Sequence, residues 1–132
     1  MIKSAIVPNE LQSYYDEWKM SPGLACGDFV FLTGFTGRDA DDGHLPSDTE
    51  AQIRNAFRKV ELVLEKADLG FEAIVEMTTY HVGLRDHLEL FKDIRSQFVK
   101  PPYPAWTAIE VAGFVQEGAV IEIRVIASRA SL

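Results

Sequence analysis

A glutamate set among aliphatic residues, in the run Val120-Ile-Glu122-Ile-Arg124, has the type and setting that most invite chemistry. A carboxylate in apolar surroundings can take a proton from water and steady a neighbouring positive charge. Arg124 lies two residues on and so shares a strand face with Glu122. An ion pair between them would hold Glu122 ionised and lower its basicity, which is a structural alternative to catalysis. His81 offers an imidazole base, but alternating with Tyr80 and Val82 it also reads as a hydrogen-bonded strand residue. Cys26, the single cysteine, reads as a small buried apolar side chain. The acidic stretch Arg38-Asp-Ala-Asp-Asp-Gly-His44 lacks the spacing and closing glutamate of a calcium loop and reads as a solvated turn. No Ser-His-Asp order, Walker loop or GxGxxG occurs, and no Cys/His set has metal-ligand spacing.

The elements that must carry these residues follow from periodicity. Asp28-Phe-Val-Phe-Leu-Thr-Gly34 reads as a largely buried strand ending at glycine. Ser47-Asp-Thr-Glu50 has the spacing of a capping box. The helix it opens puts Ile53, Ala56, Phe57, Val60, Leu64 and Ala67 on one face, with Arg54, Arg58, Glu61 and Glu65 outward. Gly70 marks its end. Residues 74–82 read as a strand, and a second helix starts at Asp86, buries Leu90, Phe91, Ile94 and Phe98, and stops at Pro101-Pro102. Residues 105–111 and 119–127 read as two closing strands joined by a turn, hence as antiparallel neighbours. An additional edge strand is expected within residues 11–24. The spacing thus predicts a mixed α+β sheet with both helices on one face and crossovers joining parallel strands. The other face, read by alternation as Trp106, Ala108 and Glu110 with Val120, Glu122, Arg124 and Ile126, is too mixed for an internal core. It suits an oligomer interface with a pocket in it.

The bulk properties agree with one domain spanning residues 1–132. Hydrophobic residues make up 47% and charged residues 25%, an ordinary globular balance. With 13 basic against 20 acidic residues the net charge is −7, which lacks the footprint that phosphate backbones require, so no nucleic-acid partner is expected. One cysteine, no apolar leader at the start and no window long enough to span a bilayer point to a cytoplasmic protein without a membrane partner.

Five segments, in order, carry a family likeness. Gly27-Asp-Phe-Val-Phe-Leu-Thr-Gly34 resembles the glycine-bounded strand of the Rid (YjgF) family, G-(D/N)-x-(V/I)-(F/I)-x-(S/T)-G. Gln52 with Asn55-Ala-Phe57 is similar to its Q-x-x-x-(A/S)-(F/L) helix. Leu69-Gly70 through Thr78-Thr79 resembles the stretch that leads into its next strand. Pro104-Ala-Trp-Thr-Ala-Ile-Glu-Val111 resembles P-A-R-(S/T)-x-V-x-V, and Val120-Ile-Glu-Ile123 its closing strand. The resemblance implies a chorismate-mutase-like fold and a homotrimer whose three sheets form a barrel, with a small-molecule pocket at each subunit boundary. The activity it implies is cofactor-free hydrolysis of reactive enamines and imines to keto acids and ammonia; older labels for the family include translation inhibitor and endoribonuclease.

By the same resemblance Glu122 is the catalytic carboxylate that positions or activates water, and Thr33, Gly34 and Thr107 contact the ligand. Trp106 stands where the family has the arginine that grips a substrate carboxylate, and Met20 where it often has a tyrosine. Ala108, beside Thr107, completes the expected ligand-binding set. Tryptophan offers a π face and one N–H donor but no charge, whereas guanidinium offers a two-donor fork. Lys92 and Arg124 are the candidates for a replacement cation. Two functions follow: a deaminase-type hydrolase with an altered substrate class, or a trimeric ligand-binding or regulatory protein that has kept the pocket without the chemistry.

Overall fold

The structure is a computed structural model that describes residues 2–130. The chain begins with strand β1 (Lys3–Ile6), then a 3-10 turn (Asn9–Leu11) running into the short helix α1 (Gln12–Asp16). Strands β2 (Gly23–Cys26), β3 (Phe29–Leu32) and β4 (Phe35–Thr36) follow, then helix α2 (Thr49–Lys66). Strand β5 (Ile74–His81), helix α3 (Leu84–Phe98), β6 (Ala105–Glu110) and β7 (Ile121–Ser128) complete it. This is the expected mixed sheet with two long helices on one face.

The sheet order is β1-β2-β3-β7-β5-β6, with β4 pairing β7 beyond β3. The last strand is therefore central, and this corrects the expected hairpin. β6 pairs β5 in parallel, and β7 pairs β5 on its other side, antiparallel. The segment between β6 and β7 is thus an overhand connection that clears β5, not a tight turn. Gln52 anchors it: its amide donates to the Pro46 and Gly118 carbonyls (2.8 and 3.0 Å) and accepts from Val120 N–H (2.9 Å). Gln52 is 1% exposed, so every hydrogen-bonding group it buries is answered.

Helix α2 starts one residue later than the capping-box reading. Asp48, not Ser47, is the N-cap, its carboxylate accepting from Ala51 N–H at 2.9 Å. The helix closes with Asp68 at φ 60°, where Leu69 N–H reaches the Leu64 carbonyl and Asp68 N–H that of Glu65, so Asp68 does what was expected of Gly70. Helix α3 starts at Leu84 rather than Asp86, because the Glu110 carboxylate caps it from the end of β6, accepting from Leu84 N–H at 2.9 Å. The buried faces of α2 and α3 meet around Phe57, whose ring stacks 4.7 Å from Phe98 and 5.9 Å from Phe91.

Register fixes the faces. Met77, Thr79 and His81 of β5 lie beside Trp106, Ala108 and Glu110 of β6 and beside Val125, Ile123 and Ile121 of β7, all toward the helices. Thr78, Tyr80, Thr107, Ile109, Glu122, Arg124 and Ile126 face the other way. The alternation expected for β7 holds, but that for β6 is out of phase by one residue. β3 is not largely buried: Val30 and Leu32 enter the core while Phe29 and Phe31 stand exposed on the open face. Residues 11–24 do not hold the expected edge strand: they carry α1 and only the first two residues of β2, which lies inside the sheet, and the edge is β1, before that window. No helix among the described residues is long and apolar enough to cross a membrane.

Candidate functional site

Short β4 and the loop after it bring the site together. Gly34 lies against the Glu122 side chain: a methyl group at position 34 would meet Oε2 at 2.6 Å and Cδ at 2.7 Å. Glycine here allows a carboxylate to lie flat over backbone. Thr36 is the register partner of Glu122 on β7. The loop running on from β4 is held to α2 by Asn55, whose side-chain amide donates to the Gly37 carbonyl at 2.9 Å. Arg38 then points back, its Nε donating to the Gly43 carbonyl at 3.0 Å. Together with Tyr14, Trp18 and Met20 from the α1 segment and Val115 and Gln116 from the overhand connection, these residues line a cavity of about 130 Å³.

Glu122 and Arg38 bring opposite charges to its lining. Burial pushes the Glu122 carboxyl above its usual range, and the positive charge of Lys59 pulls it part of the way back. No hydrogen bond to the Glu122 carboxylate is formed among the described residues, so its lone pairs face the cavity. The Glu122–Arg124 pair that the sequence allowed does not form; Arg124 is exposed opposite Thr78. Burial also raises the Tyr14 phenol, with Arg38 opposing and Glu122 reinforcing that shift. A carboxylate of raised basicity, a guanidinium and an aromatic wall can hold an anionic small molecule and accept a proton from water beside it.

The expected ligand set divides. Met20, Gly34 and Glu122 line this cavity, and Thr33 stands behind Met20, its hydroxyl donating to the thioether sulfur at 3.4 Å. Thr107 shares the open face with Glu122 but sits two strands away, roughly 10 Å at normal strand spacing. Trp106 and Ala108 occupy the opposite face of the same chain, because the phase of β6 is reversed. Trp106 donates from Nε1 to Thr79 Oγ1 at 3.0 Å and lies 4.3 Å beneath the Arg95 guanidinium. Thr79 continues to His81 Nε2 (2.7 Å), and His81 Nδ1 to His87 Nε2 (3.0 Å), making a buried polar chain. His81 is thus a satisfied strand residue; burial and the neighbouring His87 lower its pKa to about 4.

Lys92 is on the exposed side of α3, 3.6 Å from Glu89, and supplies no charge to the cavity. Arg38 and Lys59 do, and both were missed. Arg38 read as the start of a solvated turn. Lys59 is 1% exposed, and the signal was its place in the 52, 56, 59, 63 stripe of α2, whose other members are buried too. The acidic turn behaves as expected, with Asp39 accepting from Asp41 and Asp42 N–H. Among the described residues no His, Cys, Asp and Glu side chains gather as a metal-binding group.

Comparison with known proteins gives a consistent answer. Residues 13–129 match the family model described as Endoribonuclease L-PSP. The chain is 32% identical over 126 residues to the Escherichia coli RutC family protein YjgH, covering 95% of this chain and 94% of that one. A solved structure of YjgH superposes with a TM-score of 0.88 at 29% identity over the whole of both chains. Escherichia coli TdcF, named provisionally a reactive intermediate deaminase, is 26% identical over 112 residues, 83% of this chain and 85% of that one. Its structure with bound serine gives a TM-score of 0.74 at 25% identity, covering 84% and 88% of the two chains.

Proposed function

Since this chain belongs to the Endoribonuclease L-PSP family, that of the Rid (YjgF) proteins, we propose that it hydrolyses a small anionic enamine or imine to the carbonyl compound and ammonia, without a cofactor. The observation that carries the reading is a half-buried Glu122 of raised basicity sharing a cavity with the Arg38 guanidinium. Arg38 holds the anionic group of the substrate. Glu122 takes a proton from water as the water oxygen bonds to the imine carbon and the C=N π pair moves to nitrogen. Glu122 returns that proton to the nitrogen, giving the carbinolamine; its hydroxyl proton then passes to the nitrogen as the C–N bond breaks and the C=O bond forms, releasing ammonia. The deaminase name and bound serine of TdcF favour amino-acid-derived substrates. Arg38 takes the part first sought at position 106, so the family's substrate class is kept rather than lost.

The active form under this reading is a cytoplasmic homotrimer whose partners are its ligand and its own copies. Phe29, Phe31 and Ile109 are 44%, 39% and 42% exposed on the open sheet face, a patch that copies of the chain would cover. Light scattering should return about three times 14.8 kDa; a monomer would remove this part of the proposal.

The test of activity is ammonia and keto-acid release from imines generated in situ, anionic and neutral, by wild type, Glu122→Gln and Arg38→Met. Glu122→Gln should lose about 10²-fold or more. Arg38→Met should lose about 10- to 100-fold on anionic substrates, the worth of one charge-assisted hydrogen bond, and much less on neutral ones. Binding of a keto acid with no turnover of any imine would instead support a ligand-binding protein.

A further inference from the structure

Lys59 does not line the cavity; Tyr14 does. The lysine Nζ sits 3.1 Å from the Tyr14 hydroxyl oxygen and 5.7 Å from the ring centroids of both Tyr14 and Phe35. No carboxylate is bonded to it among the described residues. Its charge reaches Glu122 through space, but its hydrogen bond toward the cavity runs through the phenol.

A phenol has one proton to donate and lone pairs to accept with, while an ammonium has donors only. When Lys59 is an ammonium, its N–H occupies the Tyr14 oxygen and the phenol O–H is free to point into the cavity. When Lys59 is an amine, its lone pair can take the phenol O–H, and Tyr14 then shows the cavity only acceptor lone pairs. One proton on a buried amine reverses the polarity of a cavity wall.

We propose that Lys59 is a positioning residue acting through Tyr14, its protonation state deciding whether that phenol offers the cavity a donor or an acceptor, and that the ligand presents a hydrogen-bond acceptor there. On the imine-hydrolysis reading, on which this last clause rests, the acceptor is the imine nitrogen or the carbonyl oxygen of the product. Donation to it draws electrons from the carbon that water attacks.

The groups around the pair place the change in the neutral range. Lys59 on α2 faces Tyr14 from α1, Phe35 from β4, Arg38 and Asp39 from the following loop, and Glu122 from β7. Burial first and Arg38 second bring the amine down to about 7, with Asp39 and Glu122 opposing. The phenol itself is raised by burial and stays protonated throughout. Tyr14 is thus a donor below about pH 7 and an acceptor above it.

The test follows the Tyr14 Cζ resonance in 13C-tyrosine-labelled protein, assigned by its loss in Tyr14→Phe, from pH 5.5 to 8.5. Wild type should show an inflection near 7, and Lys59→Met should show none. No inflection in wild type, or one that survives Lys59→Met, overturns the proposal. A second readout is the ratio of keto-acid release at pH 6 to that at pH 8.5. It should be larger in wild type than in Lys59→Met by between about two- and tenfold, the ratio that one hydrogen bond supplies; equal ratios would overturn the functional half. If no imine is turned over at all, the hydrolase reading fails while the resonance still decides the Lys59–Tyr14 coupling.

Discussion

Gly34 and Gly37 are three residues apart, and an added methyl group should separate their roles. In Gly34→Ala the new Cβ meets only the Glu122 side chain, at 2.6 Å from Oε2, about 0.8 Å short of ordinary contact near 3.4 Å. A carboxylate at the end of a flexible side chain can yield, so the fold should survive, and with φ at residue 34 outside the left-handed region the substitution should leave stability within about 1 kcal/mol. What it moves is the proton acceptor. A displacement of about 1 Å in a reacting group costs on the order of 10²-fold, so ammonia release should fall by about that factor. In Gly37→Ala the Cβ meets Gln52 Cβ at 2.3 Å, its Cα at 2.4 Å and its carbonyl oxygen at 2.7 Å. Those atoms belong to the first turns of α2 and cannot swing aside. Overpacking of this kind costs about 1–3 kcal/mol, or roughly 4–12 °C in Tm at this chain length. Thermal unfolding and imine turnover measured on both variants separate the cases. Wild-type turnover in Gly34→Ala, or equal loss of Tm in the two, would refute the placement of Glu122 over Gly34.

Phe57→Ala, which empties the stack with Phe91 and Phe98, should cost about 3–5 kcal/mol in urea unfolding; a loss below 1 kcal/mol would contradict the packing. Lys59 has its folded pKa lowered from 10.5 to about 7, so its burial penalty accrues as pH falls through that window and is complete below it. Lys59→Met should therefore be more stable than wild type at pH 6.5, by about 1–4 kcal/mol, with the gain shrinking toward pH 10; a gain independent of pH would refute this. His81 is lowered from 6.5 to about 4, so the stability it contributes is full above pH 6.5 and lost as pH falls toward 4. Unfolding free energies from urea titrations at pH 7 and 4.5 should differ by on the order of 2 kcal/mol in wild type and by less in His81→Gln; equal differences would move the acid sensitivity to another group.

What could be read in advance was what repeats along the chain. Helix α2 declared itself because Ile53, Ala56, Phe57, Val60 and Leu64 recur at helical spacing, and α3 likewise through Phe91 and Ile94. The family resemblance placed Glu122, Gly34 and Met20 in one site, and all three line the same cavity. Trp106, expected with them, lies on the opposite face, because β6 is an edge strand with one neighbour and a mixed sequence, so alternation gave its period but not its phase. The packing of Phe91 and Arg95 against the indole fixes that phase, and it depends on how the preceding helix α3 folds back over the sheet. Arg38 was illegible for another reason: long basic side chains are normally solvated, and only the tertiary approach of α1 and β7 turns it inward. Lys59 was legible only through its place in the buried stripe of α2.

The central place of β7 has a consequence for how the protein is made. Its neighbours, β3 on one side and β5 on the other, are translated well before it, yet no strand pairing joins the β1–β3 half of the sheet to the β5–β6 half without it. While residues 121–128 are still inside the ribosome, the emerging chain holds two half-sheets with a missing middle. Each presents an unpaired backbone edge, and β3 adds Phe29 and Phe31 to its own. Such edges recruit other strands, so the nascent chain stays exposed to mispairing until β7 emerges, and the sheet closes in one step when β7 is threaded between halves that have waited for it.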